Sequence, residues 1–96
     1  RDAGFNLKSA DDLEIIEGIG PKIAMLLHVA GVKSFKQLSA MSPAQLQPIL
    51  DRAGANFQMA NPATWPEQAD LAARNRWLAL KALQQALDAG NRRGNN

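Results

Sequence analysis

The 96-residue chain has no cysteine, one histidine and no long apolar run. Without cysteine there are no disulfides and no thiolate metal sites, and the redox compartment is left open. His28 alone excludes a multi-histidine metal centre. No apolar stretch approaches the ~18 residues that suggest a membrane span. An excess of charge of one sign is also missing. Residues 1–60 carry six basic and six acidic side chains, and residues 61–96 carry five and three, for a net charge of +2. This is not the strongly basic footprint of a dedicated nucleic-acid binder. There is no signal-like start, and "RDAGFNLKSADD" reads as a cut made inside a longer protein, with a processed end the alternative.

A catalytic constellation is missing too. Ser9, Ser34, Ser39 and Ser42 sit mostly where helix caps belong, and His28 has no triad context, so no nucleophile–base pair emerges. The expectation is a non-enzyme with no cofactor and no metal. Asp11, Asp12, Glu14 and Glu17 have the spacing of capping and helix-dipole residues, with metal binding as the alternative.

What remains is a series of helices divided by well-marked corners. Ser9-Ala-Asp-Asp12 has capping-box spacing and opens a short helix to about Glu17, with Leu13 and Ile16 inward. Gly18-Ile19-Gly20 makes the corner, and Pro21 suits the first position of the next helix. Ile23, Leu26, Leu27 and Ala30 mark an apolar face that Gly31 ends. Ser34 with Gln37, and Ser42 with Gln45, open two further helices, to about Ala40 and Ala53. Gly54 stops the second of these, and Pro48 within it predicts a kink or a late start. "ANFQMANPATWPEQ" lacks helical period and reads as a packed loop with Phe57 and Met59 inward. Thr64 and Glu67 form a fourth box, opening a helix from about Trp65 to Ala73. Asn75 interrupts it, being tolerant of left-handed backbone. A last helix, from about Arg76 to Ala89, carries Trp77, Leu80, Leu83 and Leu87, and Gly90 ends it.

The fold is therefore expected to be all-α. It divides into a flexible segment 1–10, a single domain 11–89 and a disordered tail 90–96. Within the domain, 11–53 is a double helix-hairpin-helix motif, 54–64 a packed loop and 65–89 two C-terminal helices. Ile19, Ile23, Leu27, Leu38, Leu46 and Leu50 are expected in a common core.

The Gly18–Gly20 corner admits two readings. It is a tight turn between helices only, or it is an anion site as well. The second follows because the first N–H groups of a helix have no partner within it and sit at its positive end. Lys22 adds a mobile positive charge.

"LEIIEGIGPKIAMLLHVAGV" resembles the helix-hairpin-helix motif of DNA repair, recombination and replication proteins, in which the hairpin backbone holds a DNA phosphate without reading bases. "VKSFKQLSAMSPAQLQPIL" looks like a degenerate second copy, with Met41-Ser42-Pro43 in place of the glycine hairpin. "NPATWPEQADLAARNRWLALKALQQAL" is similar to a C-terminal extension on helix-hairpin-helix modules appended to otherwise unrelated bacterial proteins. The resemblance implies weak, sequence-nonspecific duplex DNA binding through Gly18, Ile19, Gly20, Lys22 and Ile23, with help from Lys33 and Lys36. The alternative is a protein-interaction or assembly module, its partner another protein or the rest of the parent chain, with the Trp-containing C-terminal helices as a contact surface. A cytoplasmic location goes with the DNA reading.

Two departures weaken a DNA grip. Glu17 abuts the hairpin and repels phosphate at short range, and the second hairpin lacks glycine. Trp65 and Trp77 are read as core, with base stacking the alternative. His28 is read as a packing or surface group. Arg92 and Arg93 are read as solvated tail residues, with nucleic-acid contact the alternative.

Overall fold

The computed structural model describes residues 12–57 and 60–94, without the side chains of residues 56 and 89–94. Among the described residues all regular structure is helical. Five α-helices run in order: α1 (Pro21–Val29), α2 (Phe35–Ser39), α3 (Pro43–Ala53), α4 (Trp65–Ala73) and α5 (Trp77–Gly94). Short 3-10 turns cover Leu13–Ile15, Ala55–Phe57 and Pro62–Thr64. Segment 1–10, Ser9 with it, and Met59 lie outside the described residues.

The expected first helix is only one 3-10 turn. Asp12 caps it by accepting from the Glu14 N–H at 3.0 Å, and Ile16 then leaves with extended angles, φ −72° and ψ 128°. Helix could not continue here, since the chain must enter the corner at Gly18 two residues later.

At α1 the stop follows the sequence. Gly31 has φ +93°, the Val32 N–H reaches Leu27 O at 2.8 Å and the Gly31 N–H reaches His28 O at 3.0 Å, the paired bonds of a Schellman ending. Ser34 caps α2 through the Gln37 N–H at 3.0 Å. The reciprocal half of that box is displaced: Gln37 Oε1 accepts from the Lys33 N–H at 2.8 Å. Ser42 and Gln45 form the full box on α3, at 3.2 Å and 2.9 Å.

Pro48 does not delay α3, which begins at Pro43 and runs through it. Ala44 and Pro48 are both exposed, so water can reach the Ala44 carbonyl that Pro48 cannot serve. The Thr64–Glu67 box is not formed. Thr64 has helical angles, φ −104° and ψ −1°, because the 3-10 turn before it flows straight into α4. Asn61 caps that turn instead, accepting from the Ala63 N–H at 3.0 Å. Asn75 takes φ 59°, the left-handed break expected between α4 and α5. Gly90 does not end α5, which continues to Gly94; an interior glycine costs only about 1 kcal/mol against alanine.

The two hairpin units and the C-terminal helices share one core. Ile16, Ile19, Leu27, Leu38, Leu46 and Leu50 are buried from the first half, and Trp65, Ala69, Ala72 and Leu80 from the second. Of the six expected core residues, only Ile23 is half-buried, packed on the cluster's edge. α1 packs on α3, and α4 packs closely on α2 and also meets α5. The Phe35 and Trp77 rings meet edge to face, centroids 6.2 Å apart at 74°. Burying each large apolar side chain contributes about 1.5–3 kcal/mol, so α4 belongs to the fold as fully as the double motif.

Candidate nucleic-acid interface

The Gly18–Gly20 corner is built by residues distant in sequence. Gly18 has φ +102°, closed to other residues, and a Cβ placed there would lie 2.8 Å from the Trp65 indole Nε1. Ile19 is 4% exposed and plugs the gap beneath the corner, with its N–H donating to Ile16 O at 3.0 Å. It is thus a plug, and offers a ligand neither side chain nor backbone donor.

Gly20 differs from Gly18 in kind. Its φ is −94° and ψ −176°, an extended backbone that any residue adopts, and nothing lies within 4 Å of where a Cβ would stand. The fold does not require glycine here. Gly20 is also the N-cap of α1, and no side chain caps that helix. The first-turn N–H groups of Lys22 and Ile23 face outward from α1's positive end. Lys22 is exposed beside them, and so is Glu17. The second hairpin contrasts with this: the Ser42 and Gln45 N–H groups are both taken by the capping box.

Of the remaining predicted cations, Lys33 is not at the corner. Lys33 follows Gly31, past the opposite end of α1, a helix about 13 Å long at 1.5 Å per residue. Lys36 is exposed on α2.

What sequence reasoning missed is a buried amide network behind the hairpin. Gln68 of α4 is fully buried. Its Oε1 accepts from the Glu17 N–H at 2.7 Å and from Gln84 Nε2 at 2.9 Å. Its Nε2 donates to the Glu17 carbonyl at 3.2 Å and to Thr64 Oγ1 at 3.1 Å. Gln84 Nε2 also donates to the Ile15 carbonyl at 2.8 Å. The signal was present: Gln68 lies on the stripe of Trp65, Ala69 and Ala72, and Gln84 on that of Trp77, Leu80 and Leu87. A polar residue on an apolar stripe needs buried partners.

The model of the RS2/RL21/YNQ2 HHH domain family matches residues 13–73. The chain belongs to this family. The HHH domain is a helical nucleic-acid- or protein-binding module. The chain is similar to an "Uncharacterized 22.9 kDa protein in nqo2 3'region" of Paracoccus denitrificans, 38% identical over 66 residues. That alignment covers 69% of this chain and 31% of the relative, so the chain spans less than a third of that protein's length. No solved structure matches the chain.

The matched region includes α4, the helix that closes the hairpin from behind. The HHH domain here is therefore a double motif with its buttress attached. Among the described residues no three or more His, Cys, Asp or Glu side chains gather to hold a metal, and no helix is long and apolar enough to cross a membrane.

Proposed function

We propose that this HHH domain is a non-catalytic module that holds one or two nucleic-acid backbone phosphates, without base preference, at the Gly18–Ile23 hairpin. One observation carries the reading: Gly20 is a glycine the fold does not need, standing bare at the N-terminus of α1. Its missing Cβ leaves room for a phosphate oxygen to approach the Lys22 and Ile23 N–H groups. Lys22 supplies the charge that follows the phosphate. The capped second hairpin and the distant Lys33 limit the grip to one or two phosphates. Glu17 keeps it weak. A cytoplasmic location belongs to the same proposal.

The test is a salt titration of duplex binding by fluorescence anisotropy. A slope of about −1 to −2 in log affinity against log salt is expected, with a dissociation constant near ~10⁻⁴ M at physiological salt. Lys22→Glu abolishes binding. Gly20→Ala weakens it while leaving the melting temperature in place. An unbound duplex at low salt, or binding indifferent to both changes, overturns the reading.

A protein-binding reading has its own support. Met25 is 68% and Val29 84% exposed, and they lie one turn apart on α1. A phosphate backbone has no use for two apolar side chains there. On this second reading the module is an interaction or assembly unit appended to a larger bacterial protein.

A further inference from the structure

Single exposed apolar residues such as Leu78 on α5 are ordinary on a protein surface. Met25 and Val29 are different, because each borders a depression. The first depression, about 290 Å³, lies among Pro21, Lys22, Met25, Leu26 and Phe57. The second, about 310 Å³, lies between α1 and α3, with Val29, Ile49 and Arg52 at its sides. Leu26 lines both, so the two form one strip along α1. Among the described residues, the ionisable groups lining it are Lys22 and Arg52, one in each depression, and no described carboxylate lines either.

We infer that this strip is a docking groove for an acidic amphipathic helix of a partner protein. The helix lies along α1, places apolar side chains in the two depressions and turns its carboxylates toward Lys22 and Arg52. Met25 and Val29 are four residues apart, about 6 Å along the axis, which is the spacing of side chains one turn apart on a docked helix. Charge selects this occupant over a second copy of the chain. Pairing two such strips would bring like cations together without a carboxylate from either lining. The inference rests on the protein-binding reading and supplies its partner's chemistry; it shares Lys22 with the phosphate site at the hairpin, and Gly20 and Val29 separate the two.

The probe is a helical peptide with two leucines four residues apart and glutamates along both flanks. A twin peptide carries lysine in place of every glutamate. Each is titrated into the isotope-labelled chain and followed by amide chemical shifts. The acidic peptide is expected to shift residues 22–30 and 49–53, and the lysine twin to bind at least tenfold more weakly. Val29→Ser and Met25→Ser each weaken the acidic peptide about tenfold, with melting unchanged because both side chains are exposed. Lys22→Glu with Arg52→Glu weakens it further.

Equal binding of the twin, or no shifts with millimolar acidic peptide, overturns the inference. So does a dimer, seen by sedimentation, that Val29→Ser dissolves, because the groove then holds a second copy. Resonances of residues 1–11 that move when Val29 becomes Ser give the groove to this chain's own N-terminal segment, which also overturns it. Gly20→Ala spares the peptide and Val29→Ser spares DNA, so each site succeeds or fails by its own measurement.

Discussion

Gln68 pairs its side-chain amide with both backbone groups of Glu17, accepting from the N–H at 2.7 Å and donating to the carbonyl at 3.2 Å. A glutamine amide has the same donor and acceptor as a peptide group, so it completes a turn that the local chain leaves open. The turn before the hairpin is one 3-10 turn, too short to satisfy Glu17 itself. Helix α4 supplies the missing partner, and Trp65, three residues before Gln68, presses on Gly18.

Removing the amide takes away the partner of the Glu17 N–H and carbonyl and one of the two bonds of Gln84 Nε2, at a part-buried site. Gln68→Ala is therefore expected to lower stability by about 2–4 kcal/mol, since each buried group left unpaired costs about 1–3. Gln84→Ala, at a half-buried site, costs about 1 kcal/mol. Urea unfolding measures both, and a double-mutant cycle should show them coupled, because the two amides share a hydrogen bond.

The two hairpin glycines should answer differently to the same change. Gly18→Ala combines left-handed backbone with a collision at the Trp65 indole and should cost more than about 2 kcal/mol. Gly20→Ala should stay within about 0.5 kcal/mol of the parent, as for an open surface position. Thermal melts of the two variants decide it. Equal losses at both sites contradict the assignment.

Ile19→Asp should unfold the domain. A charge under the corner has no partner, and burying it unpaired costs several kcal/mol or more, about the whole stability of a small domain. Circular dichroism is the readout. A chain ending at Gly54 should fail to fold for a related reason, since it lacks Trp65, Ala69, Ala72 and Leu80 from the core. A helical, cooperatively melting chain in either case overturns the packing described above.

Pro48→Ala should raise stability by about 1–2 kcal/mol. An interior helical proline costs about 3 kcal/mol, partly offset by the rigidity it gives the unfolded chain. Both Pro48 and Ala44 face solvent, so no packing is lost. Chemical denaturation of the variant reports the gain.

The sequence was most legible where one residue type has one physical use. Gly31, Gly54 and Asn75 mark the positive-φ stops at which they stand, and Ser42 with Gln45 makes its box. Ile19 was readable as a plug because an apolar residue in the middle of so tight a corner has nowhere else to go. Errors arose where a local signal met a stronger neighbour. Thr64 and Glu67 have box spacing, yet the Pro62–Thr64 turn leaves no extended residue to act as cap. Gln37 has box spacing, yet its side chain takes the Lys33 N–H instead. The site was less legible than the fold. Pro21 biases Gly20 toward the extended backbone it adopts, but part of Gly18's constraint comes from Trp65, 47 residues away. The exposure of Met25 and Val29 depends on which face of α1 meets α3.

The residues that complete the hairpin are made long after it. Gln68 follows Glu17 by 51 residues, and Gln84 follows Ile15 by 69. At about 5–20 residues per second, a nascent chain carries the open corner for roughly 3–10 s before Gln68 exists. Closing a loop of that length then costs about 3.5 kcal/mol of chain entropy, on the (3/2)RT ln n scale. The hairpin is thus made before the residues that complete it, and any ligand that needs the finished corner must wait for α4.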